Sequence, residues 1–270
     1  MLSLKNLKKK ANYAWRIGAT GLGFASFGIG GVFIAGAVSP LINLSTRDEE
    51  LRRKRTQKVI KHGFKNFIDL GVKFGILTCE VEGLEKLEHS RQELVIANHP
   101  TLIDVVILIG LMERANCVVK QALYSNPFIR GPVKGAGYIV NSGSKKFIDD
   151  CVSRLNTKNA PSLLIFPEGT RTEKGECLNE FQRGAANIAL RANVPIRPIK
   201  ITCTPTTLTK NEKWYHIPSE PFHVRIEVLD AIHIQDVLED SHVTPKNVRL
   251  LNHYLHQFFN KELSGNEQSC

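Results

Sequence analysis

No G-x-S-x-G pentapeptide occurs anywhere in the 270 residues, which excludes the strand-turn-helix nucleophile elbow of ordinary lipases and esterases. The six cysteines (79, 117, 151, 177, 203 and 270) form no C-x-x-C pair, and several lie in apolar runs. They read as buried, reduced thiols of a cytosol-facing protein. None neighbours a histidine in sequence, which argues against a cysteine nucleophile. His62, His89, His216, His223, His233, His242, His253 and His256 have no neighbouring ligand pattern, so no metal is expected. No internal repeat is visible.

Charge is missing in two places. Residues 1–16 hold no acid but carry Lys5, Lys8, Lys9, Lys10 and Arg16, and Ile17 to Thr46 hold no charge at all. Residues 47–66 are basic again, with eight bases against Asp48, Glu49 and Glu50. The two flanks account for the whole net charge of +10, and the remainder is balanced. As one helix the uncharged run would measure about 45 Å, against a hydrocarbon core of about 30 Å. Its glycines (18, 21, 23, 28, 30, 31 and 36) and Pro40 offer places to bend. The run therefore predicts a re-entrant or shallow two-helix hairpin, with both basic ends on the cytoplasmic face against anionic lipid. Ala35-Gly36-Ala37 resembles a signal-peptide cleavage site, but the apolar region is longer than such peptides use. Nucleic acid is not the expected partner, because the bases flank a hydrophobic segment rather than aromatic stacking platforms.

Thr46-Arg47-Asp48-Glu49 reads as a capping box opening an amphipathic helix to about Phe74. Its Ile60, Phe64, Phe67, Ile68 and Val72 suit either the bilayer surface or the following domain. Beyond it, strand patterns (93–97, 117–119, 138–140, 161–166, 196–202, 222–229) alternate with helical ones (144–156, 182–192). This predicts an α/β fold, a single domain with a mixed, largely parallel sheet flanked by helices, plus the N-terminal membrane-associated helical hairpin. The expected segments are 1–45 (basic start and hairpin), 46–77 (connecting helix), 78–262 (the α/β domain) and 263–270 (a disordered tail). Residues 205–220 form a polar loop in which Trp214 and Tyr215 suit a membrane interface, an acyl-channel cover or ordinary packing.

At the exit of the strand ending at Ala97 stands Asn98-His99-Pro100-Thr101-Leu102-Ile103-Asp104. Pro100 suits the start of a helix running from Thr101 to about Glu113, and it pushes His99 toward extended geometry. His99 then folds over the first turn, within reach of Asp104. A carboxylate holding one ring nitrogen's proton fixes the tautomer and frees the other nitrogen as a base. Taken alone, a helix-capping histidine beside an unrelated aspartate fits the pattern equally well. The strand at 161–166 empties into Pro167-Glu168-Gly169-Thr170-Arg171-Thr172. Arg171 offers a planar fork for phosphate oxygens, and Gly169 lets backbone N–H groups approach an anion. Glu168 either orients the arginine or accepts a hydrogen bond from a substrate hydroxyl.

Together the two segments resemble the signature of the glycerolipid acyltransferase family, which contains the 1-acylglycerol-3-phosphate acyltransferases: N-H-x-x-x-x-D, then F-P-E-G-T-R. Weaker counterparts are Gly135 to Asn141 and Val194 to Ile199, so the resemblance covers about residues 78–205. The resemblance implies a membrane-associated O-acyltransferase that moves a fatty acyl group from a thioester carrier to a lysophospholipid hydroxyl, most simply that of 1-acylglycerol-3-phosphate. His99 and Asp104 would be catalytic, Arg171 would bind phosphate, and Glu168, Gly169, Thr170 and Asn141 would shape the acceptor site. The family often has arginine where Asn141 stands, which leaves open a non-standard acceptor such as a lyso-aminolipid; Lys145 and Lys146 follow closely. A non-catalytic lipid-binding scaffold is the reading from another class. No cofactor is implied beyond acyl-CoA or acyl carrier protein as donor. Membrane lipids are the expected partners, and the cytoplasmic face of a membrane (the inner one in a bacterium) is the expected location.

Overall fold

Leu94, Val95, Ile96 and Ala97 are all buried, because helices cover their sheet on both faces. The computed structural model describes residues 4–88 and 90–265. His89, Cys270 and the part of the expected tail beyond residue 265 lie outside the described residues. In chain order the elements are α1 (Leu4–Phe33), a π-helical turn (Ile34–Val38), α2 (Ser39–Ser45), α3 (Glu49–Lys73), β1 (Leu77–Glu82), α4 (Glu85–Glu88), β2 (Leu94–Ala97), α5 (Asp104–Leu111), β3 (Ala115–Lys120), α6 (Gln121–Ser125), α7 (Pro127–Ala136), β4 (Ile139–Asn141), α8 (Lys145–Leu155), β5 (Ser162–Ile165), α9 (Gly184–Ala192), β6 (Ile196–Thr204), β7 (Phe222–Val228), α10 (Ile234–Val237) and α11 (Pro245–Ser264). α11 thus runs past the boundary expected at 262.

The strands form one sheet in the order β1-β7-β6-β2-β5-β3-β4. Every neighbouring pair is parallel except β6 and β7. Side chains alternate across a strand, and the alternation divides the core in two. Val95, Ala97 and Leu164 join Ile60 and Ile68 of α3 and Val106 to Ile109 of α5. Leu94, Ile96, Leu163 and Ile165 join α8, α9 and α11 through Phe147, Cys151, Leu155, Ile188, Leu255 and Phe259. The α3 stripe is therefore spent mainly on the domain, although Val72 stays exposed. α3 and α5 approach so closely that a Cβ on Gly110 would lie 3.3 Å from the Lys65 backbone nitrogen.

The N-terminal segment corrects the sequence expectation in detail. Asn6 to Ser45 is a single helical run of 40 residues, long and apolar enough to cross a membrane by length and composition. It does not fold back on itself. Pro40, which lacks an N–H and crowds the preceding turn, is absorbed by the π turn, where the Ser39 N–H reaches back to the Ile34 carbonyl. The chain reverses only at Thr46 to Asp48, so the hairpin consists of the apolar run and α3. The N-cap of α3 is Asp48, whose carboxylate accepts from the Leu51 N–H at 2.6 Å, rather than Thr46. The apolar run still presents Leu22, Ile29, Phe33, Leu41 and Leu44 outward.

Cys79, Cys117, Cys151 and Cys203 are free thiols, whereas Cys177 is disulfide-bonded, against the expectation of uniformly reduced cysteines.

Candidate active site

β2 and β5 are parallel neighbours, so the segments that follow them leave the sheet side by side at its C-terminal edge. That edge is where open α/β sheets keep their sites. Asn98, buried at the end of β2, pairs by its side-chain amide with both backbone groups of Ile201 on β6, each at 2.8 Å. The ladder to β6 thereby gains one more rung through a side chain while the main chain peels away.

His99 Nδ1 lies 2.8 Å from Asp104 Oδ2, and the carboxylate is fully buried. Asp104 also accepts from the Thr101 backbone N–H at 2.8 Å and from the Thr101 hydroxyl. These bonds hold Thr101 to Ile103 as a turn, so α5 begins at Asp104 and not at Thr101. The carboxylate thus sits in the first helical turn, where negative charge is favoured. With Nδ1 donating to Asp104, Nε2 keeps its lone pair. The imidazole stacks on Phe166 with ring centroids 4.2 Å apart. Its side chain is 17% exposed.

Glu168 makes no hydrogen bond to Arg171, so it does not orient the arginine. Its carboxylate accepts from the His99 backbone N–H at 2.7 Å, the Asn179 N–H at 2.9 Å and the Thr172 hydroxyl at 3.0 Å. The Thr172 N–H returns a 2.7 Å bond to the His99 carbonyl. Glu168 is therefore a strut between the two turns. Burial pushes its carboxyl above the ordinary carboxylate range, opposed by the Asn179, His99 and Thr172 hydrogen bonds.

Arg171 Nη1 donates to the Leu208 and Thr209 carbonyls at 2.9 and 2.8 Å. The Leu208 carbonyl also accepts from the Leu102 N–H at 3.1 Å, so one peptide of the β6–β7 loop pins both the arginine and the turn after His99. Leu208 has φ +55°, a left-handed conformation that costs a side-chain-bearing residue about 1–2 kcal/mol. Gly169 has φ +69°, and a Cβ there would meet only Gln182 at 3.5 Å. Its glycine answers to backbone conformation, not crowding.

His99, Gly169 and Asn141 line one cavity of about 170 Å³, with Val119, Lys120 and Phe166 among its other walls. Glu168, Thr170 and Arg171 stand outside that wall, Thr170 half-buried. Lys120 was missed in the sequence. It ends β3 in register with Asn141, and burial, then the nearby charges of Arg171 and Lys210, hold its ammonium below the usual lysine range. The available signal was a lysine closing an apolar strand at the same sheet edge. Lys146 lines a different cavity, and the side chain of Lys145 lies outside the described residues. Among the described residues no group of three or more His, Cys, Asp or Glu side chains is placed to hold a metal ion.

Residues 78–202 match the family model described as Acyltransferase. They are an acyltransferase-family domain. The chain is 28% identical, over 58% of its length, to human 1-acyl-sn-glycerol-3-phosphate acyltransferase beta, covering 56% of that protein. With the Saccharomyces cerevisiae 1-acyl-sn-glycerol-3-phosphate acyltransferase it shares 29% identity over 64% of the chain and 57% of the relative. The Brassica napus chloroplastic enzyme of that name, BAT2, is 30% identical over 46% of the chain and 37% of its own length. The chain thus spans only a third to three fifths of these relatives. The crystal structure of the 1-acyl-sn-glycerophosphate acyltransferase PlsC from Thermotoga maritima superposes with a TM-score of 0.67 at 20% identity, covering 99% of this chain and 98% of that one. The acyltransferase domain and its long N-terminal helix therefore share that fold.

Proposed function

We propose that the protein is a membrane-associated O-acyltransferase that moves a fatty acyl group from a thioester carrier to the free hydroxyl of a lysophospholipid, most simply 1-acylglycerol-3-phosphate. The observation that carries this reading is the His99–Asp104 pair at 2.8 Å, opening onto a cavity that Lys120 also lines. His99 Nε2 takes the proton of the acceptor hydroxyl as its oxygen attacks the thioester carbonyl. Asp104 stabilises the imidazolium. Collapse of the tetrahedral intermediate breaks the C–S bond, and the departing thiolate recovers the proton from His99. Ester and free thiol are the products, and no acyl-enzyme is formed.

Lys120 and Arg171 are the groups suited to the acceptor's phosphate. The Lys120 ammonium feels the Arg171 charge, an arrangement that a bound dianion would relieve. Asn141 contributes a neutral amide to the same wall, so Lys120 supplies the charge that the asparagine lacks. A second, apolar chamber of about 330 Å³ lies between α1 and α3, with Ala19, Gly23, Phe24, Phe67, Ile103 and Leu208 in its walls. It touches the turn before Asp104 and suits an acyl chain. The outward apolar side chains of the N-terminal run, flanked by bases, suit binding at the cytoplasmic face.

Purified full-length chain in detergent, given an acyl thioester and lysophosphatidate, should release thiol in step with phosphatidate formation. Absence of both products with every thioester offered would sink the reading.

A further inference from the structure

Beside β4 lies an open groove of about 620 Å³, walled by Arg53, Tyr138, Ser142, Lys146, Arg154 and Thr157 among others. A smaller cavity of about 220 Å³ adjoins it through Arg53, Arg154 and Thr157 and adds Arg114 and Lys158. Glu50 and Asp150 also face these spaces, and Arg53 is paired with Glu49 and Glu50. Arg114 is likewise engaged, by Glu50 and Gln57. Arg154 and Lys146 are different. Among the described residues neither has a hydrogen-bond or ion-pair partner. Burial, then the like charge of Arg53, holds the Arg154 guanidinium below its ordinary range, opposed by the charges of Glu50, Glu49 and Asp150. A half-buried guanidinium facing another, with its own donors unused, is a receptor for an anion.

The groove and the His99 cavity take walls from residues adjacent in sequence. Asn141 and Phe147 line the cavity, while their neighbours Ser142 and Lys146 line the groove. From Lys146 to Arg154 the groove follows α8 for about 12 Å, at 1.5 Å per residue. It is therefore a groove with an unpaired base at either end, Lys146 lying next in sequence to the Phe147 of the His99 cavity wall. A thioester donor has the matching form: a phosphate, a long flexible arm and a thioester at the tip.

We propose that this groove binds the phosphopantetheine arm of the acyl donor, with Arg154 holding its phosphate while the thioester end crosses the first turn of α8 to reach His99. Coenzyme A and acyl carrier protein carry the same phosphate on the same arm, so the recognition chemistry is shared. The inference rests on the thioester-donor reading given above.

The test uses the full chain in detergent, with Arg154→Ala and Arg154→Lys beside the wild type and folding checked by circular dichroism. Free 4′-phosphopantetheine is titrated calorimetrically, and kinetics are measured with palmitoyl-CoA and with palmitoyl carrier protein. Loss of one charge-assisted contact should weaken phosphopantetheine binding and raise the donor KM about tenfold or more, with kcat and acceptor KM unchanged and partial rescue by lysine. Whichever thioester is turned over with an Arg154-dependent KM identifies the source of the arm. Transfer to lysophosphatidate with a donor KM indifferent to Arg154→Ala overturns the groove and leaves the acceptor reading standing. No transfer to lysophosphatidate, with phosphopantetheine binding still dependent on Arg154, supports the groove and overturns that acceptor. Loss of binding to phosphatidylglycerol vesicles in Arg154→Ala, with donor KM and phosphopantetheine affinity intact, makes the groove a lipid-headgroup contact and overturns the proposal.

Discussion

Glu168 and His99 are joined not side chain to side chain but by the 2.7 Å bond from the His99 backbone N–H to Glu168 Oε1. The strand exits that carry the proposed base and the proposed phosphate ligand are thereby held as one rigid unit. Because Glu168 also accepts from Asn179 and Thr172, its loss leaves donors of both turns unpaired.

Glu168→Gln should lower the melting temperature and impair turnover with little selectivity between acceptors. It should also change the pH dependence of stability. A carboxyl whose folded pKa is raised binds its proton more tightly in the native state, so stability is greatest below the unfolded pKa and falls as pH rises through the folded value. Melting temperatures of wild type should fall relative to Glu168→Gln across that window. A constant difference would mean that Glu168 does not titrate as its burial implies.

His99→Ala should reduce kcat by about a hundredfold to ten-thousandfold while leaving vesicle binding intact, since the apolar run and its bases are untouched. Asp104→Asn should lose activity too, and it should also destabilise the fold, because Asp104 organises the Thr101 turn. Unchanged turnover in folded His99→Ala would remove the proposed base.

Arg171→Ala and Lys120→Ala should each weaken a phosphorylated acceptor more than one without phosphate, read as the ratio of kcat/KM values for lysophosphatidate and monoacylglycerol. Equal losses for both acceptors would reduce Arg171 to a clamp on the Leu208 peptide.

Gly169→Ala should cost about 1–2 kcal/mol, the usual penalty for a side chain in the left-handed region, because φ is +69° and the new methyl meets nothing closer than 3.5 Å. Gly169→Asn, which tolerates that region better, should cost less in chemical denaturation. A penalty as large for asparagine as for alanine would point to crowding instead.

Thiol chemistry should leave the proposed activity alone. Burial pushes Cys117, Cys151 and Cys203 up to about 12 and raises Cys79 as well, so thiolate is scarce at pH 8. Iodoacetamide treatment of the native protein should therefore spare turnover, and rapid inactivation would contradict this.

The alternation of apolar strands with helices, the pairing of His99 with Asp104 and the basic flanks around an uncharged run were all legible in the residues themselves. Each follows from local order: a period of two or 3.6, a proline's constraint, or a count of charges. What lay beyond that reading came from contacts between segments far apart in sequence. Glu168 became a strut because β2 and β5 are neighbours, not because of anything in its own turn. Lys120 joined the cavity because β3 and β4 end together, and Leu208 reached Arg171 because the β6–β7 loop returns over the site. β1 does alternate Leu77, Cys79 and Val81 with Thr78, Glu80 and Glu82, whereas the antiparallel pairing of β7 with β6 carried no clear local signature. The apolar run stayed helical past its glycines because a helix satisfies its interior backbone groups within itself, and Pro40 could be absorbed by one widened turn. Local patterns thus set the elements and the His99–Asp104 pair, whereas the sheet order decided which charges surround that pair.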